Sequence, residues 1–295
     1  MRKQTGIPKI DGLSLIELMV TMVVAMFLMG GVINVYISTK SNDKVRNEIS
    51  EMEDNGRTAL MLMRGIISHA GYQSINDLPL DEPFYAGADD MDNPDCRGGT
   101  DKLISYNPIL DEKTLNSDVA KRDTLVAVHI ADSPLAAGGT TGLLVADCQS
   151  GTIPAECSSD PVDGLYTSAD SKIYNYLYIN TPDGRRALTC MGSRGGSQPL
   201  AENIENLQFL YGVSIGDDLV YRNAEDVTTN GEWSSVVTVQ VGILVRSENE
   251  VLDEEESKVF LLLDEKITTP KDRRIYKTYT TTIVLPNRLD REFES

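Results

Sequence analysis

The chain has 295 residues, with 27 basic and 45 acidic side chains, and its formal net charge is −18. A surface this acidic argues against binding of nucleic acid or anionic lipid through a basic face. The length allows one or two domains, and one elaborated domain is expected once an N-terminal apolar segment is set aside.

A basic leader precedes this apolar segment. Arg2, Lys3 and Lys9 outweigh Asp11, so the leader carries a net charge of +2 and the rest of the chain −20. Residues 13–37 form an apolar run of 25 residues, which as a helix would be about 37 Å long. That length crosses a hydrocarbon core of about 30 Å. The sequence therefore predicts a transmembrane helix over residues 13–37.

Two residues distinguish this apolar run from an ordinary signal sequence or membrane anchor. Gly12 directly precedes the run, and Glu17 is the only charged side chain within it. A secretory signal is cleaved after its apolar core, whereas cleavage at Gly12 would leave the helix on the mature protein. A plain membrane anchor is the alternative, but it gives no reason to keep a carboxylate that costs a few kcal/mol in lipid. The pattern resembles the prepilin signal of type IV pilins and type II secretion pseudopilins.

The resemblance implies a role for each of these residues. In that superfamily a prepilin peptidase cleaves after the residue corresponding to Gly12 and methylates the new amine, here on Leu13. The carboxylate corresponding to Glu17 pairs with a mature N-terminus and sets the axial register between subunits. Leu13 stands where phenylalanine is commonest and Ser14 where threonine is commonest, whereas the glycine and the glutamate match.

The helical pattern continues beyond the apolar run as an amphipathic helix, which Gly71 is expected to end. Gly30 and Gly31 are its weakest point, where a kink or local unwinding is expected. The predicted domains are a leader at 1–12, a membrane segment at 13–37, the amphipathic half of the stalk at 38–72 and a β-rich head at 73–295. Apolar side chains recur at spacings of three and four at Val45, Ile49, Met52, Gly56, Ala59, Met63, Ile66 and Ala70.

The head shows strand patterns after a turn-rich region. A long helix followed by strands predicts an α+β fold, with one antiparallel sheet packed on the amphipathic half of the helix. A short helical turn is expected at 203–207 and one further strand near 102–106. The principal predicted strands are 124–130, 143–146, 173–181, 187–190, 207–213, 236–245, 259–263 and 276–285.

The four cysteines all lie in the head, at Cys96, Cys148, Cys157 and Cys190. Their spacing fits no zinc site, and an even number favours disulfides in an oxidising periplasm. Three pairings are possible. We expect Cys148 to bond Cys157 across a short loop, which leaves Cys96 with Cys190.

No catalytic motif was found, and no cofactor is expected. His69 and His129 are expected to be structural or surface residues rather than bases. An acidic segment, made of Asp89, Asp90, Asp92, Asn93 and Asp95, offers oxygen ligands that would suit calcium. Pro94 and the absence of the required glycine depart from the helix–loop–helix calcium pattern, so a solvated acidic loop is predicted there and no metal.

Segments at both ends of the chain carry a finer resemblance. In order along the chain they are RGIISHAGY at 64–72, NIENLQFLYG at 203–212, VQVGILVRS at 239–247 and RRIYKTYTTTIVLPNR at 273–288. This series resembles the PilW-like minor pilins of type IV pili, which are related to the J-type minor pseudopilins of type II secretion. Residues 73–200 match only loosely.

The resemblance implies a type IV pilin fold and a non-enzymatic minor pilin that primes pilus assembly and remains at or near the pilus tip. Its expected partners are other minor pilins, the major pilin, the prepilin peptidase and the inner-membrane assembly platform, with a tip adhesin as a further candidate. The expected location is the bacterial inner membrane, head in the periplasm, and then the surface pilus. The alternatives are a J-type pseudopilin and, from another class, a membrane-anchored periplasmic enzyme.

Cleavage at Gly12 gives the first testable prediction. The mature protein is expected to begin at Leu13 with a methylated amine, because the cleavage site precedes the apolar core and the leader is basic. Mass spectrometry of the N-terminal peptide from membrane-extracted protein checks this. Recovery of Met1, or of an N-terminus beyond residue 37, would rule out prepilin processing.

Overall fold

The structure is a computed structural model that describes residues 14–72, 80, 83–85, 122–130, 147–149, 172–181, 184–192 and 197–289. It divides into two compact units, Met1–Asn47 and Glu48–Ser295. The predicted strands at 102–106 and 143–146 lie outside the described residues.

Helix α1 (Leu15–Ile67) supplies all of the described secondary structure of the first unit and begins the second. In the first unit it continues through Gly30 and Gly31 without a break in the helical assignment. It ends at Ile67, three residues before the predicted end at Ala70. Turns continue to Gly71, which has a φ of 75° and whose N–H donates to the Val128 carbonyl of β1.

The second unit contains ten described strands and two further short helices. The helices are α2 (Ala224–Asn230) and α3 (Pro286–Leu289), and a 3₁₀ turn lies at Trp233–Ser235. The strands are β1 (Leu125–Ile130), β2 (Lys172–Asn180), β3 (Ala187–Gly192), β4 (Ser197–Glu202), β5 (Ile204–Ile215), β6 (Asp218–Arg222), β7 (Val236–Arg246), β8 (Val259–Leu262), β9 (Glu265–Thr268) and β10 (Tyr276–Val284).

These strands form two four-stranded antiparallel sheets and a hairpin. The first sheet has the order β1-β2-β3-β4, the second has the order β10-β7-β5-β6, and β8 pairs with β9. The α+β fold class is thus confirmed, but the expectation of one sheet is wrong. Period-two alternation indicates that a strand has one buried face and carries no information on which sheet the strand joins.

One apolar core joins the second part of α1 to both sheets. In β7, Val241, Ile243 and Val245 belong to this core, while Leu244, between the last two, packs with the β8–β9 hairpin on the opposite face. The first sheet contributes Leu177 and Leu188 to the same core. Successive side chains of β7 thus pack on opposite sides of the strand, and both faces of the strand are covered.

The buried row of α1 differs from the predicted row near each end, where Glu48 is buried in place of Ile49 and Ile67 in place of Ile66. Met52, Gly56, Ala59 and Met63 are buried as predicted, but Ile49 is exposed and Glu48 is buried. The Glu48 carboxylate accepts hydrogen bonds from Asn249, from its backbone N–H at 3.0 Å and from its side-chain amide at 2.7 Å. A buried carboxylate is tolerated when such donors satisfy it.

The helical turn predicted at 203–207 is wrong, because β5 begins at Ile204. Glu205 is buried against Arg186 and Arg246, and the Gln208 side chain donates to the Asn206 Oδ1 at 2.9 Å. Because these polar side chains are buried and paired, the sequence at the start of β5 does not show the alternation of apolar and polar residues that identifies a strand. The sequence prediction also missed β4, β6, β9 and α2, all of which are seven residues long or shorter.

The disulfide that the structure places within the described residues joins Cys148 to Cys190 of β3, with 6.4 Å between their Cα atoms. The expected pairs Cys148–Cys157 and Cys96–Cys190 are therefore wrong. The Cys148 N–H also donates to Asn175 Oδ1 of β2 at 2.7 Å, so this segment is held on the first sheet by two interactions. Cys96 and Cys157 lie outside the described residues. Sequence spacing favoured a short loop, whereas the sheet brings together residues 42 apart.

The closest approach between α1 and β10 gives a second prediction. A Cβ atom at Gly56 would lie 2.9 Å from the Tyr279 ring, whereas Gly65, on the same helix, has nothing within 4 Å. Gly56→Leu is therefore expected to lower the free energy of unfolding by about 1–3 kcal/mol through overpacking.

Gly65→Leu is the matched control, since it adds the same side chain to the same helix in open space. It should leave the free energy of unfolding unchanged or raise it by at most about 1 kcal/mol, because leucine is the better helix former. Urea denaturation of the two variants measures both values. Equal effects would show that α1 does not pack on β10 as described.

The observed disulfide gives a third prediction. Non-reducing peptide mapping should recover a Cys148–Cys190 linked peptide. The double variant Cys148→Ser/Cys190→Ser should lose about 2–5 kcal/mol of stability in denaturant unfolding, because the reduced unfolded chain is less constrained. A Cys148–Cys157 peptide in the map would contradict the structure.

Candidate assembly surface

The first part of α1 exposes apolar side chains on all sides. Leu15 is 79% exposed and Phe27 is 80% exposed, and the remaining side chains from Ile16 to Ile37 are exposed as well. Within the described residues, α1 is the one helix long and apolar enough to cross a membrane, with a mean hydropathy of 2.3 over its most apolar window. Such a surface is stable only in lipid or against other apolar helices.

Glu17 lies in the first turn of α1. A carboxylate there is stabilised by the positive end of the helix dipole. Ser14 precedes the helix, and its carbonyl accepts the Leu18 N–H at 3.1 Å. Serine before a helix and glutamate three residues later is also the spacing of a capping box. Glu17 is thus positioned to cap the start of α1, in addition to any role between subunits.

The other predicted processing residues, Gly12 and Leu13, lie outside the described residues. So do the weak metal candidates Asp89, Asp90, Asp92 and Asp95. Among the residues that the structure places, no group of three or more His, Cys, Asp or Glu side chains could hold a metal ion.

Polar contacts fix the second part of α1 to the C-terminal strand and its flanks. The Lys277 ammonium lies 2.7 Å from the Glu53 carboxylate, and the Arg64 guanidinium donates to the Thr281 hydroxyl at 3.4 Å. Lys277 lowers the pKa of Glu53, and Glu53 in turn raises the pKa of Lys277. Both groups are exposed, so this pair orients the surface more than it stabilises the fold.

The helix end is held by residues from the last described segment. The Asn287 amide donates to the carbonyl of Ser68 at 3.2 Å. The buried Arg288 guanidinium donates to the carbonyls of Leu80 and Ser234. The segment that follows α1 and the short helix α3 are therefore held together by these hydrogen bonds.

The two histidines, which are far apart in the sequence, lie together in the structure. The rings of His69 and His129 have centroids 6.1 Å apart, where the end of α1 meets β1. Burial lowers the pKa of His69. The sequence carried no signal for this pairing, because one histidine follows a helix and the other lies in a strand.

Comparison with known proteins gives two family matches. Residues 176–287 match the family described as type IV pilus-assembly protein W, and residues 8–33 match the prokaryotic N-terminal methylation motif. The first match runs from β2 to α3, and the second includes Gly12, Leu13 and Glu17. No curated protein matched the chain.

Among solved structures, a type IV-like pilin from Thermus thermophilus, TTHA1219, is similar to the chain at 11% sequence identity and a TM-score of 0.30. The similarity covers 58% of this chain and 81% of that one. The family matches confirm the resemblance seen in the sequence: the chain is similar to type IV pilus-assembly protein W in its head and carries the N-terminal methylation motif of pilins.

Proposed function

We propose that this chain is a non-enzymatic minor pilin that co-assembles with other minor pilins, primes type IV pilus assembly and remains at or near the pilus tip. The observation that carries the proposal is an exposed apolar helix, with one carboxylate in its first turn, on the same chain as a head of the W family. Such a helix is stable in lipid, and the apolar core of a filament is a second environment that would bury it.

Glu17 is the residue through which assembly would be directed. A carboxylate in an apolar environment is tolerated when an opposite charge lies close to it, and loss of one partner costs about 3–5 kcal/mol. In the proposed mechanism the partner is the methylated amine at the mature N-terminus of a subunit. This charge pair would stabilise one axial position of neighbouring helices relative to the others. The apolar contacts around it are less directional and would allow many axial positions.

The head is proposed to lie in the periplasm before assembly. The Cys148–Cys190 bond is consistent with an oxidising compartment. The N-terminal apolar helix and the methylation motif are consistent with membrane anchoring and incorporation into a pilus. The match to a pilus-assembly family favours a pilus subunit over a J-type pseudopilin of type II secretion.

A pair of Glu17 variants tests the proposal. Glu17→Ala removes both the charge and the capping-box side chain, whereas Glu17→Gln removes the charge and keeps a residue suited to the capping position. Both variants are expected to insert into the membrane and to be cleaved at Gly12. Both are expected to lose incorporation, measured as the amount of this chain in sheared pili and in complexes with other minor pilins.

The thermal midpoint of the head, measured in the same variants, is the control. It should not change, because Glu17 belongs to the first compact unit and the head to the second. Normal incorporation of both variants would remove the proposed role of the charge. Normal incorporation of Glu17→Gln together with failure of Glu17→Ala would assign Glu17 to helix capping instead.

A further inference from the structure

Strand β10 is an edge strand with little of the usual protection. It ends the second sheet, and no other described strand pairs with its outer side. Its nine residues pair with β7 without a bulge, and they contain one charge, Lys277, and no proline. By contrast, the edge strand β4 contains Pro199 and pairs across a register shift, and the edge strand β6 is five residues long. Proteins normally protect an edge as long as β10, because it can pair with another chain.

The hydrogen-bond pattern shows which β10 groups point outward. Within the same ladder, the Leu285 N–H donates to Val237, and the Ser247 N–H donates to Ile275. In an antiparallel ladder the bonded positions alternate, so the odd-numbered residues of β10 bond to β7. The backbone groups of Thr278, Thr280 and Thr282 therefore face away from the sheet.

Helix α1 extends the same surface beyond the edge. Glu53 and Arg64 contact Lys277 and Thr281 of β10. At 100° per residue, Arg57 and Met61 follow these two positions around the helix, on the side away from the buried row. Met61 is 66% exposed, although it is a large apolar side chain. A strand added to β10 would lie beside Lys277 and the arginine side chains, whereas Met61 points away from the sheet and would stay uncovered.

The charge of this surface is opposite to that of the unit that carries it. Arg57, Arg64 and Lys277 against Glu53 give a local charge of +2, whereas residues 48–295 carry −21 in total. An incoming segment is thus attracted if it carries carboxylates and is repelled if it carries lysines.

From these observations we propose that the outer edge of β10, with Arg57 and Arg64 of α1, accepts an extended acidic segment of another polypeptide as a fifth strand of the second sheet. Main-chain hydrogen bonds to Thr278, Thr280 and Thr282 hold the segment, and alternate side chains meet the three cations. Identification of the donor as another pilus subunit rests on the proposed function, whereas strand addition itself does not.

The test uses the full chain in detergent micelles and a labelled nine-residue synthetic peptide of alternating valine and glutamate. The peptide should bind, as measured by fluorescence anisotropy, and a valine–lysine peptide of equal length should bind at least tenfold more weakly. On binding, amide exchange at Thr278, Thr280 and Thr282 should slow at least tenfold. Exchange at Lys277, Tyr279 and Thr281 should stay unchanged, because those amides already bond to β7.

Two sets of variants complete the test. Thr280→Pro removes one outward N–H and no bond to β7, so it should weaken binding at least tenfold, whereas Thr280→Ala should stay within threefold. Arg57→Glu/Arg64→Glu changes exposed residues alone and should reverse the preference between the two peptides.

Absence of binding, or equal binding of the two peptides, would overturn the proposal. So would slowed amide exchange that does not alternate between even-numbered and odd-numbered residues of β10. Unchanged binding by Thr280→Pro would do the same. A chain that binds the peptide with this alternation but never enters pili would refute the proposed function and leave strand addition standing.

Discussion

Helix α1 has to satisfy two different environments along one continuous backbone. Up to about Ile37 its side chains are apolar in every direction, and from Glu48 it buries a single row against the sheets of the head. Gly56 and Ala59 lie in that row and have little or no side chain, so the helix backbone approaches β10 closely. The contacts of Glu53 with Lys277 and of Arg64 with Thr281 lie on the same side of this approach and hold α1 to the last described strand.

The same contact bears on the proposed addition of a strand to β10. A helix that lies over an edge strand covers one face of that strand and leaves its outer hydrogen-bonding groups uncovered. Most edges are protected by charge, proline or irregular geometry. Within the described residues, β4 has a proline and a register shift, whereas β10 has the single charge of Lys277. In the proposed function, both the exposed apolar helix and the β10 edge, which no other described strand pairs, would be covered by other subunits.

Much of the fold could be predicted from the sequence, because the signals were local. The alternation in β7 and β10 and the spacing of Met52, Gly56, Ala59 and Met63 depend on neighbours a few residues away. The failures were non-local. The start of β5 looked helical because its polar side chains find partners that are distant in sequence, such as Arg186 for Glu205. The pairing of Cys148 with Cys190 and the approach of His69 to His129 depend on how strands are arranged, which no local pattern encodes.

The meeting of Glu53 with Lys277 and of Ser68 with Asn287 joins residues more than 200 positions apart. Contacts of such long range make folding slow, because the chain must close a large loop before the contact stabilises it. In a chain delivered across a membrane from its N-terminus, α1 would arrive first, and β10 would follow only after nearly all of the head. Until then the apolar row of α1 would remain uncovered, so a chaperone or the membrane surface would have to shield it during export.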